Sequence, residues 1–365
     1  GRGTPDLPHQ GAGARLVREI AEHSQAYSNL EELCDDIGPR VTGSERLRRA
    51  QAWAAEKLKV YGAVNIHEEN YEFGRSWSRG KERARLLTGN GVELHVAQQA
   101  WTPATGGPLR GPVALLQAKT LDELGAAIPG LAGKIVLQAG MPRPSEAERK
   151  DRMKFIQEVG QLLAGGEFRA LLRDAAKKDD EMSMTGSPAP RGGPSTIPTA
   201  FISSEHANLI KRLALRGRNP EIELELGGTT SKEPVPAANL VAELPGAEKP
   251  EEIVIIGGHL DSWDLGTGAT DNGTGCVAAL EALRAIQALG LKPKRTLRVV
   301  LFSGEEQGLL GSIAYVKAHE AELARIQAVL IEDGGTGKIK GWPDMGQEHW
   351  RAPLAAALVP ANQIG

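Results

Sequence analysis

Cysteine is nearly absent. The two that occur, Cys34 and Cys276, give neither a disulfide framework nor a cysteine-rich metal site. Both sit in helical-looking context, where a free thiol behaves as a small buried hydrophobe. No apolar run approaches the roughly 18 residues needed to cross a bilayer; the longest, such as 253–256 and 299–302, have the length of strands. Basic charge is not in excess either. Lys and Arg number 43 against 46 Asp and Glu, a formal net charge of -3, and no basic cluster is interleaved with aromatics, which argues against nucleic acid as a partner. The sequence shows no internal repeat and no dominant low-complexity tract. The chain starts at Gly1 without a signal-peptide h-region, so compartment is not read from composition.

What is present is an ordinary globular composition, 41% hydrophobic and 24% charged over 365 residues. A prior of roughly 150 residues per domain then implies two or three domains. Apolar positions at helical spacing run over 13–35 and are broken by Gly38-Pro39-Arg40. Ser44 suits the N-cap of a helix to about Val60, with Leu47, Trp53, Ala54 and Leu58 as its buried face and Gly62 at C′. A strand through Val64, Ile66, Tyr71 and Phe73 follows, then another over 84–97. Trp101 to Pro112 is rich in Pro and Gly and reads as a boundary.

Beyond that boundary come short strand candidates at 113–117 and 134–138, a helix-like stretch at 153–163, and a polar, turn-rich segment at 175–195 expected to be an exposed mobile loop. Strands return at 199–202 and 221–226, before a second Pro-containing connector at 229–236. This run of short strands between two connectors reads as an insertion, 102–231, into a host domain formed by 1–101 and 232–365.

From Asn239 the rhythm becomes regular α/β alternation, with strands at 239–244, 253–256, 296–302 and 328–331 and helices at 274–289 and 312–326. Near-continuous apolar strands separated by helices predict an α/β fold, a mixed, largely parallel sheet covered by helices on both faces. In such sheets the ligand site lies beyond the carboxyl ends of the strands.

Three of those strands are followed by chemistry. After 253–256 comes Gly257-Gly258-His259-Leu260-Asp261, and the loop runs on to Asp271. After 296–302 comes Ser303-Gly304-Glu305-Glu306, and after 328–331 comes Glu332-Asp333-Gly334-Gly335. One His and several carboxylates thus converge on one sheet edge, where uncompensated carboxylates would repel one another and resist ionisation. One or two divalent cations remove that difficulty. His with Asp and Glu suits zinc, and a carboxylate can bridge two ions that together activate a water and polarise a carbonyl. Asp261 is placed to accept the other ring N–H of His259. Of Glu305 and Glu306, one can bind metal while the other stays free as general base. Trp263 and Asp264 flank the site, either shaping it or, for Trp263, acting as a structural anchor.

The stretches HLDSWDLGTGATDNGTG (259–275), SGEEQGLLGS (303–312) and IEDGG (331–335) resemble the dizinc metallopeptidases of clan MH, family 28. Supporting pieces outside the site are DDIGPRVTGS (35–44), STIPTAFIS (195–203), NLVAELPG (239–246) and KPKRTLRVVLF (292–302). The resemblance implies a zinc-aminopeptidase/phosphorylase-hydrolase-like fold with a protease-associated-like, β-rich insertion, and a hydrolase of short peptides or dipeptides holding two Zn2+. It implies His259 and Asp333 on one zinc, Glu306 on the other, Asp271 bridging, Glu305 as general base and Asp261 orienting His259. The Asp271–Asn272 peptide is a candidate for the cis form.

The resemblance further implies a secreted or periplasmic homodimer, and one more ligand His from a downstream loop. His349, in DMGQEHWRAP, does not match that loop and reads as a surface residue, so the chain is expected to continue beyond Gly365. His9, His23, His67, His95, His206 and His319 read as surface or packing residues. Two readings compete: a non-catalytic binding relative of the same fold, as in transferrin receptors, which predicts eroded ligands; and a single-zinc cyclase such as the glutaminyl cyclases, which predicts only one equipped metal position.

Overall fold

The computed structural model describes residues 11–146, 148–186, 195–337, 341 and 343–360. The first of its two large sheets has five strands: β1 (Val64–Gly74), β2 (Val235–Leu244), β3 (Lys249–His259), β4 (Arg295–Phe302) and β5 (Ile326–Ile331), ordered β1-β2-β4-β3-β5. β1 pairs with β2 and β2 with β4 antiparallel, while β3 lies parallel to both β4 and β5. The sheet is therefore mixed, with the parallel part confined to the three strands that lead to the chemistry.

Alternation along the strands shows that both faces are covered. On β2 and β4, Leu240, Ala242, Val299 and Leu301 join one buried cluster while Val241 and Val300 join another. The first cluster takes in α3 (Glu45–Val60) through Leu47, Ala50, Ala54 and Leu58, and α4 (Thr274–Ala288) through Leu280 and Leu283, after α1 (Ala12–His23) and α2 (Ala26–Glu31). The second takes Tyr315 from α5 (Leu310–Ala318).

The caps expected at α3 are present: the Ser44 hydroxyl accepts from the Leu47 N–H, and Gly62 follows the helix at φ 80°. The apolar run over 13–35 is not one helix but α1, α2 and a π-turn over Glu32–Ile37. Likewise the helix expected at 312–326 ends at Ala318 and continues as a 3-10 segment, Glu320–Arg325.

The second sheet has eight strands, in the spatial order Val92–Leu94, Glu82–Leu86, Glu221–Leu226, Leu109–Gln117, Ile135–Gly140, Ala170–Asp174, Thr199–Ile202 and Val96–Gln98. The four consecutive members from Leu109–Gln117 to Thr199–Ile202 are parallel, and helices at Leu121–Ala127, Arg152–Ala164 and Ser204–Leu215 accompany them.

Its limits differ from those expected. Residues 82–98 pair inside it, Leu86 opposite Ile222 and Val96 opposite Ile202, so the sheet spans 82–226 and the expected boundary at 101/102 falls within it. The Pro- and Gly-rich stretch after Trp101 is a turn between two of its strands, and composition marks a turn whether or not a domain ends there. The chain instead crosses between the sheets where Trp77–Ser78 pairs with Thr229–Thr230.

One buried cation ties the N-terminal segment to the loop after β3. Arg40 has no exposed surface. Its Nε donates to Leu260 O at 2.8 Å, Nη1 to Gly38 O at 3.0 Å and Thr267 O at 2.7 Å, and Nη2 to Gly268 O at 2.9 Å. Loss of this side chain strands several buried carbonyls at once. Arg40→Met is expected to cost about 3–5 kcal/mol of folding stability, measured by urea unfolding of the metal-free protein; a loss below about 1 kcal/mol would show that water replaces the guanidinium there.

Candidate metal centre

Parallel register brings the three strand ends level. His259 lies opposite Phe302 across β3 and β4, and Gly257 opposite Ile331 across β3 and β5, so the residues just beyond each strand leave the sheet at one edge. The approach is close. A Cβ on Gly257 would come within 1.9 Å of Val300 O, and one on Gly275, at the start of α4, within 2.1 Å of Glu332 O. Only glycine lets these backbones pass.

His259 sits at the centre with 2% of its side chain exposed. Its Nε2 is 3.0 Å from Asp271 Oδ1, 3.3 Å from Asp333 Oδ1 and 3.8 Å from Glu305 Oε2. Its Nδ1 is 3.0 Å from the Asp261 carbonyl and 3.5 Å from Asp261 Oδ1. The backbone carbonyl is thus the nearer partner of that nitrogen. The fully buried Asp261 carboxylate is shared: it accepts from Thr42 Oγ1 at 2.9 Å and from the Glu305 and Glu306 N–H groups at 3.4 and 3.3 Å. It thereby fixes the turn that presents both glutamates.

Further supports come from side chains to which the sequence assigned no hydrogen-bonding role in the site. Asn272 Nδ2 donates to Glu332 O at 2.7 Å and its Oδ1 accepts from Gly275 N, tying the Asp271 loop to the end of β5. The Asp271–Asn272 peptide bond is cis, the form for which the resemblance marked it. Ser303 N donates to Asn239 Oδ1, and the Tyr71 hydroxyl lies 2.9 Å from Ser303 Oγ. Arg40 and Thr42 belong to the 35–44 stretch that read as lying outside the site, yet both bond to the loops that build it. Their only sequence signal was membership of that stretch.

Trp263 packs edge-on against Trp101 at 6.4 Å and belongs to the buried aromatic cluster around it, which makes it an anchor. His349 is exposed in a short 3-10 segment. Of the other histidines outside the site, His9 lies outside the described residues, and the remainder contact polar neighbours away from the strand edge.

The electrostatics are those of crowded like charge. Burial, reinforced by Asp271 and Asp261, pushes Glu306 up to about 8. Glu305 and Asp333 are also raised, by burial first and then by neighbouring carboxylates, with His259 opposing. For His259, burial alone would act downward, but Asp261, Glu305 and Asp333 outweigh it and hold the imidazolium to about 10.

A divalent cation fits these residues. Among those described, one group offers three ligand atoms within 4.8 Å of one another, from His259, Asp271 and Asp333. In addition, Glu306 Oε1 is buried without a hydrogen-bond partner, an acceptor left unsatisfied by protein donors.

Comparison with known proteins gives the same direction. The pattern of peptidase family M28 matches residues 239–342. Bovine (Bos taurus) carboxypeptidase Q is 34% identical over 98% of this chain and 76% of its own length. The chain belongs to peptidase family M28. A peptidase M28 precursor from Shewanella amazonensis superposes with a TM-score of 0.80 at 31% identity, covering 97% of this chain and 80% of that one. A zinc aminopeptidase from Bacillus subtilis, at 22% identity and a TM-score of 0.61 over 84% of this chain and 68% of its own, shares the fold. As a member of family M28 the protein is a metallo-exopeptidase.

The raised groups set a pH dependence for the metal-free protein. A carboxyl lifted on folding favours the folded state while protonated, and Glu306 loses that contribution as pH climbs from its ordinary 4.5 through about 8. An imidazolium held to about 10 favours the folded state below 6.5 and loses that as pH climbs through about 10. Both act in one sense. In chelator, the melting temperature is expected to fall between about pH 5 and about pH 9, and Zn2+ to restore it most at the alkaline end, where its ligands are deprotonated. A metal-free melting temperature that rises over that range would contradict the crowding described.

Proposed function

We propose that this protein is a zinc-dependent exopeptidase that hydrolyses terminal peptide bonds of short peptides through a two-zinc centre. The observation that carries the reading is the convergence of His259, Asp271 and Asp333, with ligand atoms within 4.8 Å, beside the unpartnered Glu306 oxygen. His259, Asp333 and Asp271 would hold one ion, and Glu306 would hold a second beside it. Asp261 is a positioning residue: it touches His259 and the backbone of both glutamates. Bound zinc supplies Lewis-acid polarisation of the scissile carbonyl and makes an attacking water acidic at neutral pH.

The remaining chemistry belongs to Glu305. It is half-buried, its Oε2 lies 3.8 Å from His259 Nε2, and its proton affinity is raised by burial. A base raised toward the working pH takes a proton more effectively. Glu305 removes a proton of the attacking water as its oxygen bonds to the carbonyl carbon, then delivers that proton to the departing nitrogen as the C–N bond breaks, leaving a carboxyl and an amine. Similarity to carboxypeptidase Q over nearly the whole chain and the fold of a zinc aminopeptidase support exopeptidase action with zinc. The second sheet is read as the protease-associated-like insertion, within limits revised to 82–226. Secretion or periplasmic location and a homodimer, both implied by the resemblance alone, stand as part of this proposal.

Two variants separate base from ligand. Glu305→Gln is expected to bind zinc like the unsubstituted protein while kcat on dipeptides falls about 10²–10⁴-fold. His259→Ala is expected to lose zinc, read by metal analysis after gel filtration. Full hydrolysis by the Gln variant would remove Glu305 from the reaction.

A further inference from the structure

The loop that runs from Asp261 to Asp271 is not covered by its own domain alone. The segment 175–186, which carries no helix or strand, reaches it from the second sheet. Thr185 Oγ1 donates to Asp264 Oδ1 at 2.6 Å. The other Asp264 oxygen is held by Arg79, which also pairs with Glu82 and donates to Gln98 O at 3.0 Å. Asp264 therefore joins three stretches of chain at one carboxylate. The segment is pinned at its far end as well: His95 Nδ1 contacts Asp180 O at 2.9 Å, and Ser183 Oγ donates to Ala175 O at 2.9 Å.

Between the pins, Met184 is laid over the site loop. Its Sδ lies so near Gly266 that a Cβ there would be 3.0 Å away. Even so, Met184 is 43% exposed, and Leu265, beside that glycine, is 40% exposed. Two large apolar side chains are thus exposed side by side, Leu265 on the loop bounded at both ends by residues of the metal centre and Met184 on the segment laid against it, held there by the Thr185–Asp264 hydrogen bond. The partial exposure of Met184 leaves an apolar surface for a ligand to cover, and an unbranched, polarisable thioether adapts to several partners of similar character.

We propose that Met184, positioned by Thr185 and Asp264, is a specificity-determining residue of the peptide cleft, contacting the apolar side chain of a substrate residue next to the scissile bond. The chemical class selected is a peptide with an aliphatic residue there, with tolerance among aliphatic shapes and discrimination against charge. This inference rests on the peptidase reading above.

The test is the ratio of kcat/KM values on zinc-loaded protein across dipeptides X-Ala and Ala-X, with X as Ala, Leu, Glu or Lys, so that both sides of the scissile bond are scanned. In Met184→Ala, the preference for Leu over Ala on one side is expected to fall about tenfold, the scale of a few methylenes in an apolar pocket. Met184→Lys should raise Glu relative to Leu at that same side. Thr185→Val, which frees the segment without touching Met184, should shift the ratio in the same direction as Met184→Ala, an effect that a merely structural role would not produce. Zinc content and melting temperature are measured alongside. Unchanged ratios in both Met184 variants, or loss of zinc or early melting in both, would overturn the assignment while leaving the peptidase reading intact. No zinc-dependent hydrolysis of any dipeptide by the unsubstituted protein would overturn both.

Discussion

Crowding of negative charge around one buried imidazole governs the architecture of this molecule. Three parallel strands end level, and each releases its chain into the same small volume with a carboxylate at or near the front. Left to themselves these groups would spread apart or take up protons, and Glu306 and Asp333 are shifted in that sense. The loops that carry them are held together by side chains reaching across the strand ends. Arg40 grips the loop after β3, Asp261 grips the turn after β4, and Asn272 grips the end of β5. The backbone that carries the site is thus hydrogen-bonded on all three sides, and the carboxylates converge at the strand edge. Such an arrangement stores the site's affinity in geometry set before any ligand arrives.

Much of this was legible in the sequence, and the reason is local. Strand ends announce themselves through an apolar run followed by Gly, and the chemistry-bearing residues come within six positions of such an end in His259, Asp261, Glu305, Glu306 and Asp333. Helix α3 was legible because capping is a local interaction: Ser44 and Gly62 act within one turn of their helix. What escaped was everything decided by partners far along the chain. Strand pairing of 82–98 with residues beyond 199 leaves no trace in either segment alone, so the boundary expected at 101/102 falls between two strands of one sheet. The short helix at 204–215 and the break between α1 and α2 were missed for a related reason, since tertiary packing rather than periodicity fixes where those elements stop.

The supports of the site escaped in the same way. Thr42 reaches Asp261 across 219 positions and Arg40 reaches Leu260 across 220. A threonine in a turn and an arginine after a proline are common, and nothing in their neighbourhood marks them as buried. By contrast the metal-facing residues carry a chemical signature, because His and carboxylates at successive strand ends have few bland explanations when they occur together. Sequence reveals what is chemically unusual more readily than what is geometrically indispensable.

The Asn272 side chain has a consequence for how the molecule is made. It joins the loop before α4 to the carbonyl of Glu332, 60 positions later, and β5 must dock beside β3 before that bond exists. During synthesis the chain emerges from its amino end, so His259 and Asp271 are exposed to the solvent well before Asp333 is. An emerging chain therefore brings Asp333 to His259 and Asp271 only when β5 closes against β3. The order of strand docking thus sets the order in which this part of the site is assembled.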